Sequence, residues 1–229
     1  MHPTIISYSA ISGTPINIEP DAVQGGNLKN ALSILAGLSL CVASNSAIAA
    51  DDQTAAAAST VTKVCQNCHG PNGDSTSATF PRLNGQQADY IAAQLKNFRD
   101  HSRSDAHAMA YMWGMASQLS DATIDGLAKY LSSQKPTLAQ SGGELAAEGR
   151  SIYLNGVAAN NVPACGACHG PKGEGNSVIP RLAGQHASYL KSQLEAFRSL
   201  SRANDVMHAN TKDMTDSEIE AVSSYLAND

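Results

Sequence analysis

Two stretches of the chain carry the same reactive frame. Cys65-Gln66-Asn67-Cys68-His69-Gly70-Pro71 returns 100 positions later as Cys165-Gly166-Ala167-Cys168-His169-Gly170-Pro171. Two thiols about one helical turn apart can add to the two vinyl groups of a single porphyrin, and the histidine that follows then meets the iron from one face. The frame therefore predicts two covalently bound haem c groups, held through Cys65 and Cys68 and through Cys165 and Cys168, with His69 and His169 as iron ligands. A redox disulfide would call for a βαβ context, and none is evident here. A zinc site shared by the two pairs would need a far shorter separation.

The sixth iron position decides whether such a centre carries electrons or binds a substrate, and the repeat narrows the choice. Met207 stands seven residues before Met214, and Met112 stands seven before Leu119, the position equivalent to Met214. Leucine cannot ligate iron, so Met214 has no competent counterpart. The histidines fail the same comparison. His186 aligns with Gln87, His208 with Trp113 and His101 with Leu200, while His107 falls in residues that the second copy lacks. Met112 and Met207 are the one symmetric pair of competent ligands. Met109 and Met115 read as packing residues and are the alternatives to Met112 for that position. Histidine–methionine ligation raises the reduction potential over a bis-histidine centre, because a soft thioether favours ferrous iron.

Around these ligands, Pro81 and Pro180 lie 12 and 11 residues beyond the two histidines. Their carbonyls are candidates to accept the imidazole Nδ1–H and so to set ring orientation. Arg82 and Arg181, next in sequence, are candidates to pair with haem propionates. Tyr90, Tyr189, Tyr130 and Tyr225 read as packing residues.

The elements that must hold these groups are helical. Pro81-Arg82-Leu83-Asn84-Gly85-Gln86 recurs as Pro180-Arg181-Leu182-Ala183-Gly184-Gln185, and the match continues through Tyr90/Tyr189, Gln94/Gln193, Phe98-Arg99/Phe197-Arg198 and Ser102-Arg103/Ser201-Arg202. Ile91, Leu95 and Phe98 form one apolar stripe, as do Leu190, Leu194 and Phe197. Ile124, Leu127, Ala128 and Leu131 form another behind a Ser120 N-cap, and Thr215 to Glu218 reads as a capping box. Further helices are expected over Gln53 to Val64 and Glu144 to Leu154, each leading into a Cys pair. The fold class is all-α, with three or four helices per domain around each haem.

Apolar residues make up 42% of the 229 residues but aromatics only 5%. Domains of this size are short of core material, and a covalently held porphyrin supplies apolar bulk. The formal charge of −5 gives no sign of nucleic-acid binding. Lys29, the apolar run Ala31 to Ala43 and Ala47-Ile48-Ala49 read as a signal peptide with cleavage near Ala49/Ala50, which discards Cys41. Residues 1–27 hold no Lys or Arg, so translation is expected to start downstream of Met1. The expected organisation is an upstream segment and leader at 1–49, an N-terminal domain at 50–135, a linker at 136–143 and a C-terminal domain at 144–229.

Together these features resemble the dihaem cytochrome c4 family. The carriers of the likeness are the two Cys-x-x-Cys-His-Gly frames, the Pro-Arg-Leu-x-Gly-Gln segments, the Tyr-x-x-x-Gln-Leu helices, and Met112 and Met207, each separated by six intervening residues from a Leu-Ser-Asp or Met-Thr-Asp. The likeness spans roughly Val61 to Leu226. It implies a periplasmic protein of two tandem class I cytochrome c domains about a pseudo-twofold axis, with haem propionates close together. It also implies redox partners such as a terminal oxidase or a quinol-oxidising complex, and loose membrane association in some members. Ala55 to Ala58 replace the glycine usual in the helix before the first Cys pair.

A periplasmic electron carrier without a substrate is the leading reading. A redox subunit serving a separate dehydrogenase is the alternative. A dihaem peroxidase would need one open iron position, against which the paired methionines argue.

Overall fold

The computed structural model describes residues 52, 55–140 and 145–227. The leader reading, Cys41 and residues 141–144 of the linker lie outside them. Helical backbone runs over 55–69, widening through a π-helical turn at Val61–Cys65 before α1 (Gln66–His69). After a loop come α2 (Ala88–Arg99), a π-helical turn at Ala108–Met112, α3 (Trp113–Ala116) and α4 (Asp121–Ser132). The second copy follows as α5 (Ala146–Asn155), α6 (Gly166–His169), α7 (Ala187–Arg198), α8 (Asp205–Thr211) and α9 (Asp216–Leu226). Among the described residues, β-type pairing is confined to isolated bridges, Val157 with Val162 for one. No helix among them is long and apolar enough to cross a membrane.

Each copy buries the stripes that its sequence displays. Ala57, Val61, Ile91, Leu127, Ala128 and Leu131 form the first core. Ile152, Tyr153, Leu190, Met214, Ile219, Val222 and Leu226 form the second, joined by Val162 and Ala221. Ser120 Oγ accepts the Thr123 N–H at 3.2 Å at the start of α4. Thr215 and Glu218 close both bonds of the capping box at the start of α9.

The approach to the second Cys pair differs from the sequence reading. Helix α5 does not lead straight into Cys165. It stops at Gly156, whose φ of +72° is a conformation that L side chains rarely adopt. Residues 157–164 then fold back through the Val157–Val162 bridge before Cys165. The core positions register this. Ala57 and Val61 stand eight and four residues before Cys65, while Gly149 and Tyr153 stand sixteen and twelve before Cys165. The second copy carries eight additional residues there.

Gly149 marks a close helix crossing. A Cβ at this position would lie 2.0 Å from the Ala221 carbonyl oxygen of α9. Ala57, at the corresponding place in the first domain, is itself a buried core residue. There the core accommodates the Cβ of an alanine where the second domain has room only for glycine.

The two domains meet across a polar seam, and the linker lies in it. Asn84 Nδ2 donates to the Lys135 carbonyl at 2.9 Å and to Thr137 Oγ1 at 3.0 Å. Arg181 donates to the Thr137 carbonyl at 3.3 Å, and Gln140 N–H donates to the Ala227 carbonyl at 3.0 Å.

Candidate haem-binding sites

The helical turns ending at His69 and His169 set Cys65 and Cys68, and Cys165 and Cys168, one turn apart. None of the four thiols is tied up in a disulfide. Cys65 and Cys165 are half-buried, and burial pushes both thiols up, that of Cys165 to about 11. Gly70 and Gly170 follow the histidines with φ of +73° and +82°. There the chain turns sharply, and a Cβ on Gly70 would meet the Asp74 carbonyl at 2.2 Å.

Both histidines are buried, 8% exposed in each case. His69 Nδ1 donates to the Pro81 carbonyl at 2.8 Å, and His169 Nδ1 to the Pro180 carbonyl at 3.0 Å. A proton fixed on Nδ1 leaves the lone pair on Nε2, the tautomer a metal requires. Burial holds both imidazoles below the ordinary histidine pKa, partly offset by the proline carbonyls, so both rings are neutral at pH 7.

The methionines separate by exposure. Met112 and Met207 are half-buried, whereas Met109 and Met115 are each 50% exposed and Met214 is buried in the second core. Met112 packs against Phe98, Ala108 and Ala116. Its neighbour Tyr111 meets Phe80 edge-on at 5.3 Å, and Phe80 meets the His69 ring at 6.1 Å, so the Met112 loop and the His69 turn join one ring cluster. Met207 lies in α8, where its N–H is capped by Asn204 Oδ1 at 2.9 Å.

The remaining histidines have other work. His101 stacks on Trp113 at 4.0 Å, and His107 lies against Tyr111. His186 Nε2 donates to the Ser75 carbonyl of the other domain at 3.0 Å, and His208 Nδ1 to the Phe197 carbonyl at 3.0 Å.

Arg82 and Arg181 lie at the seam. Arg82 donates to the Gly184 carbonyl at 2.8 Å, while Arg181 reaches Thr137. Arg82 Nε faces the Asp74 carboxylate in an ion pair at 3.5 Å, whereas the Arg181 Nε–H is buried without a hydrogen-bond acceptor, which is rare in a folded protein. A buried cationic donor without an acceptor at Arg181 suits a carboxylate-bearing group such as a haem propionate. With the Nε2 lone pairs and the paired thiols, this donor makes the residues present a fit for haem.

The sequence reading assigned no role to the arginines and glutamines that cross between the domains, and it read their partner Tyr90 as packing. Arg103 and Arg202 are both buried, each over the ring of Phe98 or Phe197 at 4.7 and 4.5 Å. Arg103 binds Gln94, Gln193 and Asp105; Arg202 binds Gln193, Gln94 and Tyr90. Burial raises the Tyr90 hydroxyl, but the charges of Arg202 and Arg103 prevail and bring it below the ordinary tyrosine pKa. Gln86 and Gln185 form a second reciprocal set, bonded to the backbone of Arg181 and Arg82. The signal was present: the pairs Arg103/Arg202, Gln94/Gln193 and Gln86/Gln185 recur identically in the two copies.

Among known proteins, the cytochrome c family model matches residues 54–135 and 146–228. Cytochrome c4 of Azotobacter vinelandii is 38% identical over 71% of this chain and 83% of its own length. A thiosulfate dehydrogenase electron acceptor of Stutzerimonas stutzeri is 39% identical over 85% of this chain and 93% of its own. The solved cytochrome c4 of Acidithiobacillus ferrooxidans superposes with a TM-score of 0.68 at 41% identity, covering 71% of this chain and 97% of that one.

Proposed function

Since the chain belongs to the dihaem cytochrome c4 family, we propose that His69 with Met112 and His169 with Met207 hold the two irons, and that the exported protein works in the periplasm. The protein is a dihaem electron carrier with two covalently bound haem c groups, one on each Cys-x-x-Cys-His frame. Each haem supplies a one-electron iron couple. The polypeptide fixes the imidazole tautomer, excludes water from the ligand rings and joins the two centres across a bonded seam.

The observation that carries the ligand assignment is symmetric. In each domain one neutral histidine has Nδ1 tied to a proline carbonyl, and one half-buried methionine stands at the equivalent position. With a histidine and a methionine both holding each iron, no position would remain for a substrate, which supports a carrier over an enzyme. Pro81 and Pro180 steady the ligands, and Arg82 and Arg181 are the cations that would receive propionates, Arg181 through its unpartnered Nε–H. Electrons leave for a redox protein such as a terminal oxidase and arrive from a quinol-oxidising complex, with loose association at the membrane surface.

A carbon monoxide difference spectrum of the dithionite-reduced protein tests this. Absence of binding at both haems is the expected result. Binding at one haem would mean an open iron, and the assignment of Met112 or Met207 would fall.

A second reading is favoured by the Stutzerimonas relative, which matches this chain over nearly its whole length and is named an electron acceptor of thiosulfate dehydrogenase. On that reading the donor is a dehydrogenase that oxidises a reduced sulfur compound. Stopped-flow reduction by such an enzyme, compared with reduction by a quinol-oxidising complex, distinguishes the two donors.

A further inference from the structure

Each proline carbonyl that holds a ligand histidine belongs to a peptide group whose N–H is bonded by the opposite domain. The Pro81–Arg82 peptide accepts His69 Nδ1–H at its oxygen, and its Arg82 N–H donates to Gln185 Oε1 at 2.8 Å. The Pro180–Arg181 peptide accepts His169 Nδ1–H, and its Arg181 N–H donates to Gln86 Oε1 at 2.7 Å. The glutamines cannot rotate freely. Gln185 Nε2 donates back to the Arg82 carbonyl and Gln86 Nε2 to the Arg181 carbonyl, both at 2.9 Å. Each Oε1 also accepts from the next backbone N–H of its own domain, Gln87 or His186. Both side chains are buried.

We infer that Gln86 and Gln185 are positioning residues that tune the haem of the opposite domain. The inference rests on the histidine ligation proposed above. Hydrogen bonds in series polarise one another. An amide whose N–H is engaged puts more negative charge on its oxygen, and that oxygen draws more strongly on the imidazole Nδ1–H. The imidazole then becomes a more basic ligand, which stabilises ferric iron and lowers the reduction potential. Domain docking thus sets both potentials through two side chains that touch neither haem ligand.

The test measures both potentials and the imidazole Nδ1–H resonances of the diamagnetic ferrous holoprotein. Gln86→Leu removes the acceptor at Arg181. It should raise the potential of the second haem, by about a two- to threefold change in its one-electron equilibrium constant, and move the His169 Nδ1–H resonance upfield. The first haem and His69 should stay in place. Gln86→Glu keeps the acceptor, strengthens it and carries the test should the leucine variant not fold; it should shift the second haem in the opposite direction. Gln185 variants should show the mirror pattern at the first haem. Ser177→Ala removes a different cross-domain bond, Ser177 to Asp89, and should move neither.

Equal shifts of both haems in the Gln86 variants, or none, would overturn the inference. A pyridine haemochrome assay on the same samples separates this from failure of the underlying reading. Two thioether-bound haems with unmoved His169 resonances would sink the glutamine assignment alone. The lack of a haem on the second frame would remove the ligand reading, and this inference with it.

Discussion

The two domains share a repeat but reach the same site by different construction. The first runs one continuous helical stretch into Cys65 and seats Val61 in its core; the second stops α5 short, folds residues 156–164 into a loop and fills the equivalent core place with Tyr153. Tyr153 is fully buried and its hydroxyl donates to the Gly170 carbonyl at 2.5 Å, tying the core to the turn after His169. The methionine segments diverge too. Met207 sits in an ordinary helix capped by Asn204, whereas Met112 ends a π-helical turn beside a cluster of aromatic rings. What is held in common is the bonding of the histidine turn, and what differs is the scaffold behind it. The chemistry constrains the first shell around the iron and leaves the support open to variation.

The sharpest way to break this comparison lies at Asp105, whose counterpart two residues after Arg202 is Asn204. Asp105 forms an ion pair with Arg103 at 2.7 Å, with both side chains buried. Asp105→Asn makes the first copy like the second but leaves a buried guanidinium without its counter-ion, at a cost of about 3–5 kcal/mol. Chemical denaturation should show the loss. Acid should mimic it: burial alone would raise the Asp105 carboxyl, but the Arg103 charge and hydrogen bond hold it below the ordinary aspartate range. A depressed folded pKa contributes stability that is present above the unfolded value, near 4, and disappears as pH falls through the folded one. Wild type should therefore lose stability across that acid window more steeply than Asp105→Asn.

Helix crossings provide the next comparison. Gly149→Ala drives a Cβ against the Ala221 carbonyl and should cost about 1–3 kcal/mol. The converse change in the first domain, Ala57→Gly, costs only the helix propensity and a small cavity, about 1 kcal/mol. Thermal unfolding of the two variants should rank in that order, and equal losses would mean the two crossings are alike. The smallest effect is expected from Asn204→Ala. Losing the cap of α8 should cost about 1 kcal/mol, and hydrogen exchange should report it as faster opening of α8 with α3 unaffected.

Much of this was legible before any coordinates. The frames, the paired methionines and the apolar stripes at helical spacing were visible because local periodicity and repetition record them directly. The proline carbonyls were visible as a spacing. Three things were not. The loop at 156–164 was hidden because Glu144 to Leu154 reads as a helix whichever way it exits, and only Gly156 signals the stop. Arg82 and Arg181 could be placed near an anion, but their bonds to Gly184 and Thr137 belong to the other domain and the linker. The glutamine and arginine sets were seen as repeated residues, yet identity between copies does not say whether a residue serves its own domain or its neighbour. That distinction depends on the pseudo-symmetric docking, which no local pattern encodes.

The linker, finally, explains how so polar a seam can hold. Thr137 is gripped from both domains, by Asn84 and by Arg181, and the chain passes so close to Gly184 that a Cβ there would meet the Thr137 carbonyl at 2.1 Å. Separate chains joining through such a surface would forfeit translational and rotational freedom, at about 4–15 kcal/mol. Each hydrogen bond returns only about 1 kcal/mol. Covalent connection removes that penalty by holding the partner at a high effective concentration. The seam never has to assemble two molecules, so its residues are released from the apolar composition of a dimer interface and can serve orientation and electrostatics instead.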